Sequence, residues 1–130
     1  MKNGILGMVM MLVAGSAALM TLDAKGADAP AAPIKVGALF SVTGPASYLG
    51  APEEKTTKMF VEKLNAAGGI NGRKVELIVK DTGGKPENAI SMAKQLMDEE
   101  QVLAILGPST SGETMAIKNI CQEGETILIS

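Results

Sequence analysis

Gly107-Pro108-Ser109-Thr110-Ser111-Gly112-Glu113-Thr114 gathers hydroxyls and a carboxylate at the start of a helical pattern. It fits the phosphate-binding pattern G-x-x-x-x-G-K-[ST] at every position but one. Glu113 stands where the lysine is required. A carboxylate there repels a polyphosphate instead of neutralising it, so nucleotide chemistry is not expected. No G-x-G-x-x-G follows any strand either. Ser109 lies on a strand-to-helix turn, yet the G-x-S-x-G elbow fails because Ser111 occupies its last position. The chain has no histidine. That removes the usual base for a serine or cysteine nucleophile and the commonest transition-metal ligand. Asp81, Glu113 and Glu123 have no visible partner and read as surface or capping groups. Neither enzyme activity nor a cofactor or metal is expected.

The hydroxyls suit binding better than catalysis. Ser109, Thr110 and Ser111 sit with backbone N–H groups at a helix N-terminus, a natural seat for a carboxylate. The plainer reading is that one of them caps the helix. One hydroxyl suffices for a cap, so both readings stand. Tyr48, the only tyrosine, lies in a second loop, residues 41–50. It either covers a ligand or packs against the protein.

Alternating elements must position these loops. Ile34-Lys35-Val36-Gly37-Ala38-Leu39-Phe40 reads as a buried strand. After the loop, Pro52 is expected at the first helical position, with Glu53 and Glu54 in the first turn. Phe60, Leu64 and Ala67 recur at helical spacing, and Gly68-Gly69 ends the helix with Ile70 as its folded-back apolar contact. Asn71-Gly72 makes a tight turn. A second strand carries Val75, Leu77 and Val79. A second helix starts at Pro86, with Ile90, Ala93, Leu96 and Met97 on its apolar stripe. Residues 102–106 form a wholly apolar third strand. Met115, Ala116, Ile120 and Cys121 share one face of a third helix, where Cys121 reads as a buried structural thiol. Residues 127–129 begin a fourth strand. The pattern β-α-β-α-β-α-β predicts an α/β fold, a doubly wound parallel sheet with spatial order 2-1-3-4. Its winding reverses between the first and third strands. Ligands bind beyond the strands' carboxyl ends at such a point, where residues 41–50 and 107–112 meet.

The first part of the chain reads as an address. Lys2 is followed by an uncharged stretch, residues 4–22, whose strongest apolar part, residues 5–13, is short for a membrane span. Small residues follow. Residues 1–26 are expected to be a cleaved signal peptide and residues 27–33 a flexible spacer. Ser16 stands where a lipoprotein's lipidated cysteine would be, so a soluble product is expected. The mature chain is mildly acidic, with Tyr48, Phe40 and Phe60 its only aromatics. It is a poor nucleic-acid binder. A single cysteine excludes an internal disulfide.

Four blocks in order carry a family resemblance. Ala38-Leu39-Phe40-Ser41-Val42-Thr43-Gly44-Pro45 with Leu49-Gly50 resembles the opening of the branched-chain amino acid-binding receptors of ABC importers. Asn65-Ala66-Ala67-Gly68-Gly69-Ile70-Asn71-Gly72-Arg73-Lys74-Val75-Glu76-Leu77 continues it. So do Asp81 with Pro86, then Ile105-Leu106-Gly107-Pro108-Ser109-Thr110-Ser111-Gly112. The resemblance covers residues 34–130. It implies lobe one, incomplete, of a two-lobed type I periplasmic binding protein that delivers an amino acid or related small carboxylate to a permease in the inner membrane. It implies that Ser109, Thr110 and Ser111 contact the ligand carboxylate, and that Tyr48 and Leu49 add side-chain contacts. A ligand-sensing module of the same fold is the alternative. Lys85 stands where many relatives have a capping aspartate, so the second helix is expected to start less firmly. The chain is expected to be a fragment that binds ligand weakly or not at all. It is also expected to be marginally stable, with the fourth strand as an exposed apolar edge.

Overall fold

The computed structural model describes residues 31–130. The expected leader, residues 1–26, lies outside them. The elements are β1 (Ile34–Phe40), α1 (Ser47–Ala66), β2 (Val75–Asp81), α2 (Pro86–Asp98), β3 (Ala104–Leu106), α3 (Ser111–Glu123) and β4 (Ile127–Ile129). The four strands form one sheet in the order β2-β1-β3-β4, with parallel pairing throughout. This is the predicted winding, with its reversal between β1 and β3. β1 pairs with β2 from Ile34↔Val75 to Phe40↔Asp81, and Ala38 lies opposite Leu106 on β3. β1 and β2 therefore end together and β3 two residues short of them, and the loops after all three share one edge of the sheet.

Handedness sorts the helices. A right-handed crossover leading one way along the sheet passes over one face, and a crossover leading back passes over the other. α1 accordingly packs on β1 and β2, while α2 and α3 pack together on the opposite face. The core lies under α2 and α3. It joins Leu39 and Ile105 of the sheet to Ala89, Ala93, Leu96, Ile117 and Cys121 of the helices. Gly37 is small because α2 presses there: a Cβ would stand 2.7 Å from Leu96 Cδ1. Leu128 faces this core, while its neighbours Ile127 and Ile129 point to the other face of the sheet and are exposed.

Several local expectations need correction. α1 starts at Ser47, so Pro52 lies inside it and Glu53 and Glu54 are past its first turn. Its N-cap, Ala46, has no side-chain acceptor, which is why the start carries no cap signal in the sequence. Gly50 is its one buried residue, because the helix crosses the backbone of Ser41 there and a Cβ would come within 2.4 Å of it. Phe60 is exposed; the inward stripe passes one position on, through Val61 and Leu64. Asn65 fastens the end of α1 to the edge of the sheet. Its amide donates to the Val75 carbonyl and accepts from the Val75 N–H, both at 2.8 Å.

β3 begins at Ala104, not at Val102, although Leu103 still bonds its N–H to the Lys35 carbonyl at 2.9 Å. The buried stripe of α3 is Glu113, Ile117 and Cys121, and Met115 lies exposed off it. The Asn71-Gly72 turn forms as expected. Both residues have positive φ, 50° and 79°, and Ile70 and Arg73 exchange backbone hydrogen bonds across it. The N-cap of α2, Lys85, makes no side-chain hydrogen bond, in line with the expected weak start.

Candidate functional site

Ser41, Thr82 and Gly107 are the first residues beyond β1, β2 and β3. Parallel register brings them to the same edge, and the reversal of winding opens the sheet between the β1 and β3 loops there. Two directed hydrogen-bond chains cross that point, both through Ser41.

The first runs through the backbone. The Ser41 N–H donates to Ser109 Oγ at 3.0 Å, and the Ser109 hydroxyl donates to Glu53 Oε2 at 2.5 Å. This joins β1, the β3–α3 loop and α1. The second runs through side chains. The Ser41 hydroxyl donates to Glu113 Oε2 at 3.0 Å. With its proton spent there, Ser41 Oγ accepts from the Thr82 hydroxyl at 3.3 Å. Thr82 Oγ1 in turn accepts the Gly84 N–H at 3.3 Å. Chained hydroxyls of one polarity strengthen one another in a dry site. Ser41, Thr82 and Glu113 are all fully buried.

Glu113 is the largest correction to the sequence reading. It is neither a surface group nor a plain cap. It lies in the first turn of α3, and its side chain turns inward. Besides the Ser41 hydroxyl, its Oε2 accepts the Thr110 hydroxyl at 2.6 Å. Thr110 is the N-cap of α3, and its Oγ1 accepts the Glu113 N–H at 3.4 Å. Asp81 also has partners that the sequence did not reveal: it accepts from Thr43 and from the Gly83 N–H.

The three predicted hydroxyls therefore have different situations. Ser109 is a strut between Ser41 and Glu53. Thr110 caps α3 and grips Glu113. Ser111 opens α3, is exposed, and has no side-chain hydrogen bond among the described residues. The first N–H groups of a helix have no partner within it. Here those of Ser111 and Gly112 stand beside the Ser111 hydroxyl. A Cβ on Gly112 would meet nothing within 4 Å, so the flank of this first turn is open. Tyr48 and Leu49 lie in the first turn of α1, not in a loop, and Tyr48 is 75% exposed. Tyr48 is thus not packed into the body of the protein.

A separate groove borders the loop on the α1 side. Phe40, Pro52, Leu106, Pro108 and Ile129 wall it, and none of Ser109, Thr110 and Ser111 lines it. It is the sheet face beside α1, not the edge where the hydroxyls stand. Among the described residues no cluster of His, Cys, Asp and Glu could hold a metal ion, and no helix is long and apolar enough to cross a membrane.

A doubly wound parallel sheet with its reversal between β1 and β3 is the fold that this chain builds. Comparison with known proteins agrees. Residues 33–130 match the family model described as periplasmic binding protein. The chain is 37% identical over 100 residues to the chemotactic signal transduction system substrate-binding protein BasB of Halobacterium salinarum, covering 75% of this chain and 24% of that one. It is 30% identical over 104 residues to Leu/Ile/Val-binding protein homolog 3 of Brucella melitensis, covering 80% and 28%. Among solved structures, LivJ of Streptococcus pneumoniae, a branched-chain amino acid transporter substrate-binding protein in complex with isoleucine, superposes with a TM-score of 0.72 at 33% identity, over 74% of this chain and 28% of that one. The chain belongs to the branched-chain amino acid-binding family of periplasmic binding proteins. It spans about a quarter of the length of these relatives. The relatives named are binding proteins, not enzymes, and the family is extracytoplasmic.

Proposed function

We propose that residues 34–130 are the first part of lobe one of an exported, periplasmic substrate-binding protein, which presents branched-chain or related amino acids to an ABC permease in the inner membrane. The observation that carries this is the start of α3. Ser111 offers a hydroxyl, and Ser111 and Gly112 offer two N–H groups, without partners among the described residues at the switch point, while Ser109 and Thr110 hold that surface in shape. Such a site takes a carboxylate. Ser109 and Thr110 serve the ligand through their backbone, and Tyr48 and Leu49 reach over it from α1. In the whole receptor a second lobe closes on the ligand and excludes water.

The test is an NMR titration of this chain with L-isoleucine and, in parallel, with isoleucinol, which lacks the carboxylate. One lobe alone exposes most of the ligand to water, so a dissociation constant of about 1 mM or weaker is expected, some 4 kcal/mol. The amide signals of Ser111 and Gly112 should move with isoleucine and stay still with isoleucinol, and Ser111→Ala should abolish the response. Equal shifts with both compounds, or shifts confined to other residues, would reject the reading.

The likeness to BasB favours a second reading, in which the same closed form is read by a chemotactic receptor. Co-purification of the native protein with a permease or with a receptor separates the two.

A further inference from the structure

The proposed ligand surface leaves one group at this edge without a task. Glu113 is fully buried, and its Oε1 has no hydrogen-bond partner among the described residues. Burying a carboxylate is costly unless its oxygens are satisfied, and an apolar side chain of similar size would fill the same space at less cost. Orphaned buried polar atoms are rare, and each calls for a reason. Packing supplies none. The reason lies at the other oxygen, which gathers two hydroxyls from opposite sides: Thr110 from the loop and Ser41 from the end of β1. In the phosphate-binding pattern this position points a lysine out at the ligand. Here the side chain points in, at the loop's own support.

We propose that Glu113 is the positioning residue of the β3–α3 loop: it grips Thr110, ties it to Ser41, and so fixes the direction in which Ser111 and the free N–H groups of α3 face. The inference rests on the ligand reading above for its purpose, and on the geometry of Glu113 for its mechanism. Glu113 does not touch the ligand. It sets the loop before ligand arrives, which lowers the ordering cost of binding. The grip is concentrated in one atom. A carboxylate oxygen accepts two hydroxyls there, at 2.6 Å and 3.0 Å, and the amide oxygen of glutamine could also accept both.

The experiment reads backbone order parameters by NMR relaxation in this chain with no amino acid present. In the unmutated chain Ser109, Thr110, Ser111 and Gly112 should show values near about 0.85, as in the sheet. In Glu113→Ala those four should fall below about 0.6, while Leu39 and Ile105 keep theirs. Glu113→Gln should restore most of the loop's order. Ser41→Ala, which cuts the grip from the β1 side and leaves the α3 cap in place, should reproduce the loss and serves if Glu113→Ala does not fold. A loop already mobile in the unmutated chain overturns the proposal. So does a loop that stays rigid in a folded Glu113→Ala chain, or one whose mobility rises only together with that of the sheet. Because no ligand is present, these outcomes judge the positioning role alone. A failed isoleucine titration with the loop response intact would remove the ligand reading and leave the grip.

Discussion

Asp81 holds Thr43 at two points: its carboxylate accepts the Thr43 hydroxyl at 2.7 Å and the Thr43 N–H at 3.1 Å. The last residue of β2 thereby fixes the loop that leaves β1. The same carboxylate accepts the Gly83 N–H at 3.0 Å, so it also closes its own turn. Between these bonds Gly44 crosses the β2–α2 loop so closely that a Cβ would stand 2.6 Å from the Gly83 carbonyl oxygen. The loop that leads to Tyr48 and Leu49 is thus clamped from the neighbouring strand.

That clamp makes stability depend on acid. Partial burial pushes the Asp81 carboxyl up, but the bonds from the Thr43 hydroxyl and from the N–H groups of Thr43, Gly83 and Val42 together outweigh it and hold the group below its ordinary 3.8. A carboxyl whose pKa is lower folded than unfolded stabilises fully above the unfolded value, and that stability is lost as pH falls through the folded value. Thermal melts should therefore lose stability from about pH 4 downward. Asp81→Ala should lower stability at pH 7 by about 1 kcal/mol and flatten this acid limb. An unchanged limb would show that another group is responsible.

The struts beneath the loop should be coupled. Ser109→Ala leaves the N–H of fully buried Ser41 without its acceptor, which costs about 1–3 kcal/mol. Glu53→Ala removes the far end of the same chain. Denaturant melts of the two single variants and the double variant should give a coupling energy of about 0.5–3 kcal/mol. Ser111→Ala, at an exposed position, should change stability by no more than about 0.5 kcal/mol. Strict additivity of Ser109→Ala and Glu53→Ala would mean that the hydroxyl does not transmit between α1 and β1.

The strand order was legible because alternation of apolar runs with helical patterns, plus the handedness of crossovers, leaves few arrangements. The position of the two facing loops followed from it. Contacts between residues distant in the chain were not legible. Glu113 is buried where Ser41, just beyond β1, meets it with Thr82 bonded behind; Ser41 lies 72 positions away from Glu113 and is reached through topology alone. The start of α1 was hidden because Pro52 mimics a first helical residue, while the true N-cap, Ala46, offers no acceptor. The signal that could have found Ser41 and Thr82 was positional: each is the first residue after a parallel strand on the side where the loops meet. Phe60 shows the limit of spacing arguments: Phe60 and Val61 both stand at helical spacing from Leu64, and only packing turns Val61 inward and leaves Phe60 exposed.

Gly107 should be intolerant of any side chain. Its φ is +84°, in the left-handed region, and a Cβ would stand 2.2 Å from the Leu39 carbonyl oxygen. Its own N–H is committed to the Ile129 carbonyl at 2.8 Å, so the backbone is held from the other side as well. Strain and overpacking each cost about 1–3 kcal/mol, and neither can relax by moving a side chain. Gly107→Ala should therefore lower the urea midpoint sharply or prevent folding. Gly112→Ala is the matched control: it has open space and sits in the first turn of a helix, so its midpoint should stay or rise slightly.

Cys121 offers a readout of the core itself. It is 1% exposed in the cluster formed with Leu96, Ile105 and Ile117, and burial pushes its thiol above the ordinary 9.0. Only the thiolate reacts, so the folded chain is protected both by access and by charge. An aromatic disulfide reagent at pH 8 should label the unfolded chain promptly and the native chain only as fast as the core opens. Leu96→Ala, which removes about 2–5 kcal/mol from the same cluster, should accelerate labelling in proportion to the stability lost. Prompt labelling of the unmutated chain would mean that α3 detaches from the sheet without global unfolding. The Glu113 grip would then have to be broken in the same motion, because it sits on the same buried stripe two turns before Cys121.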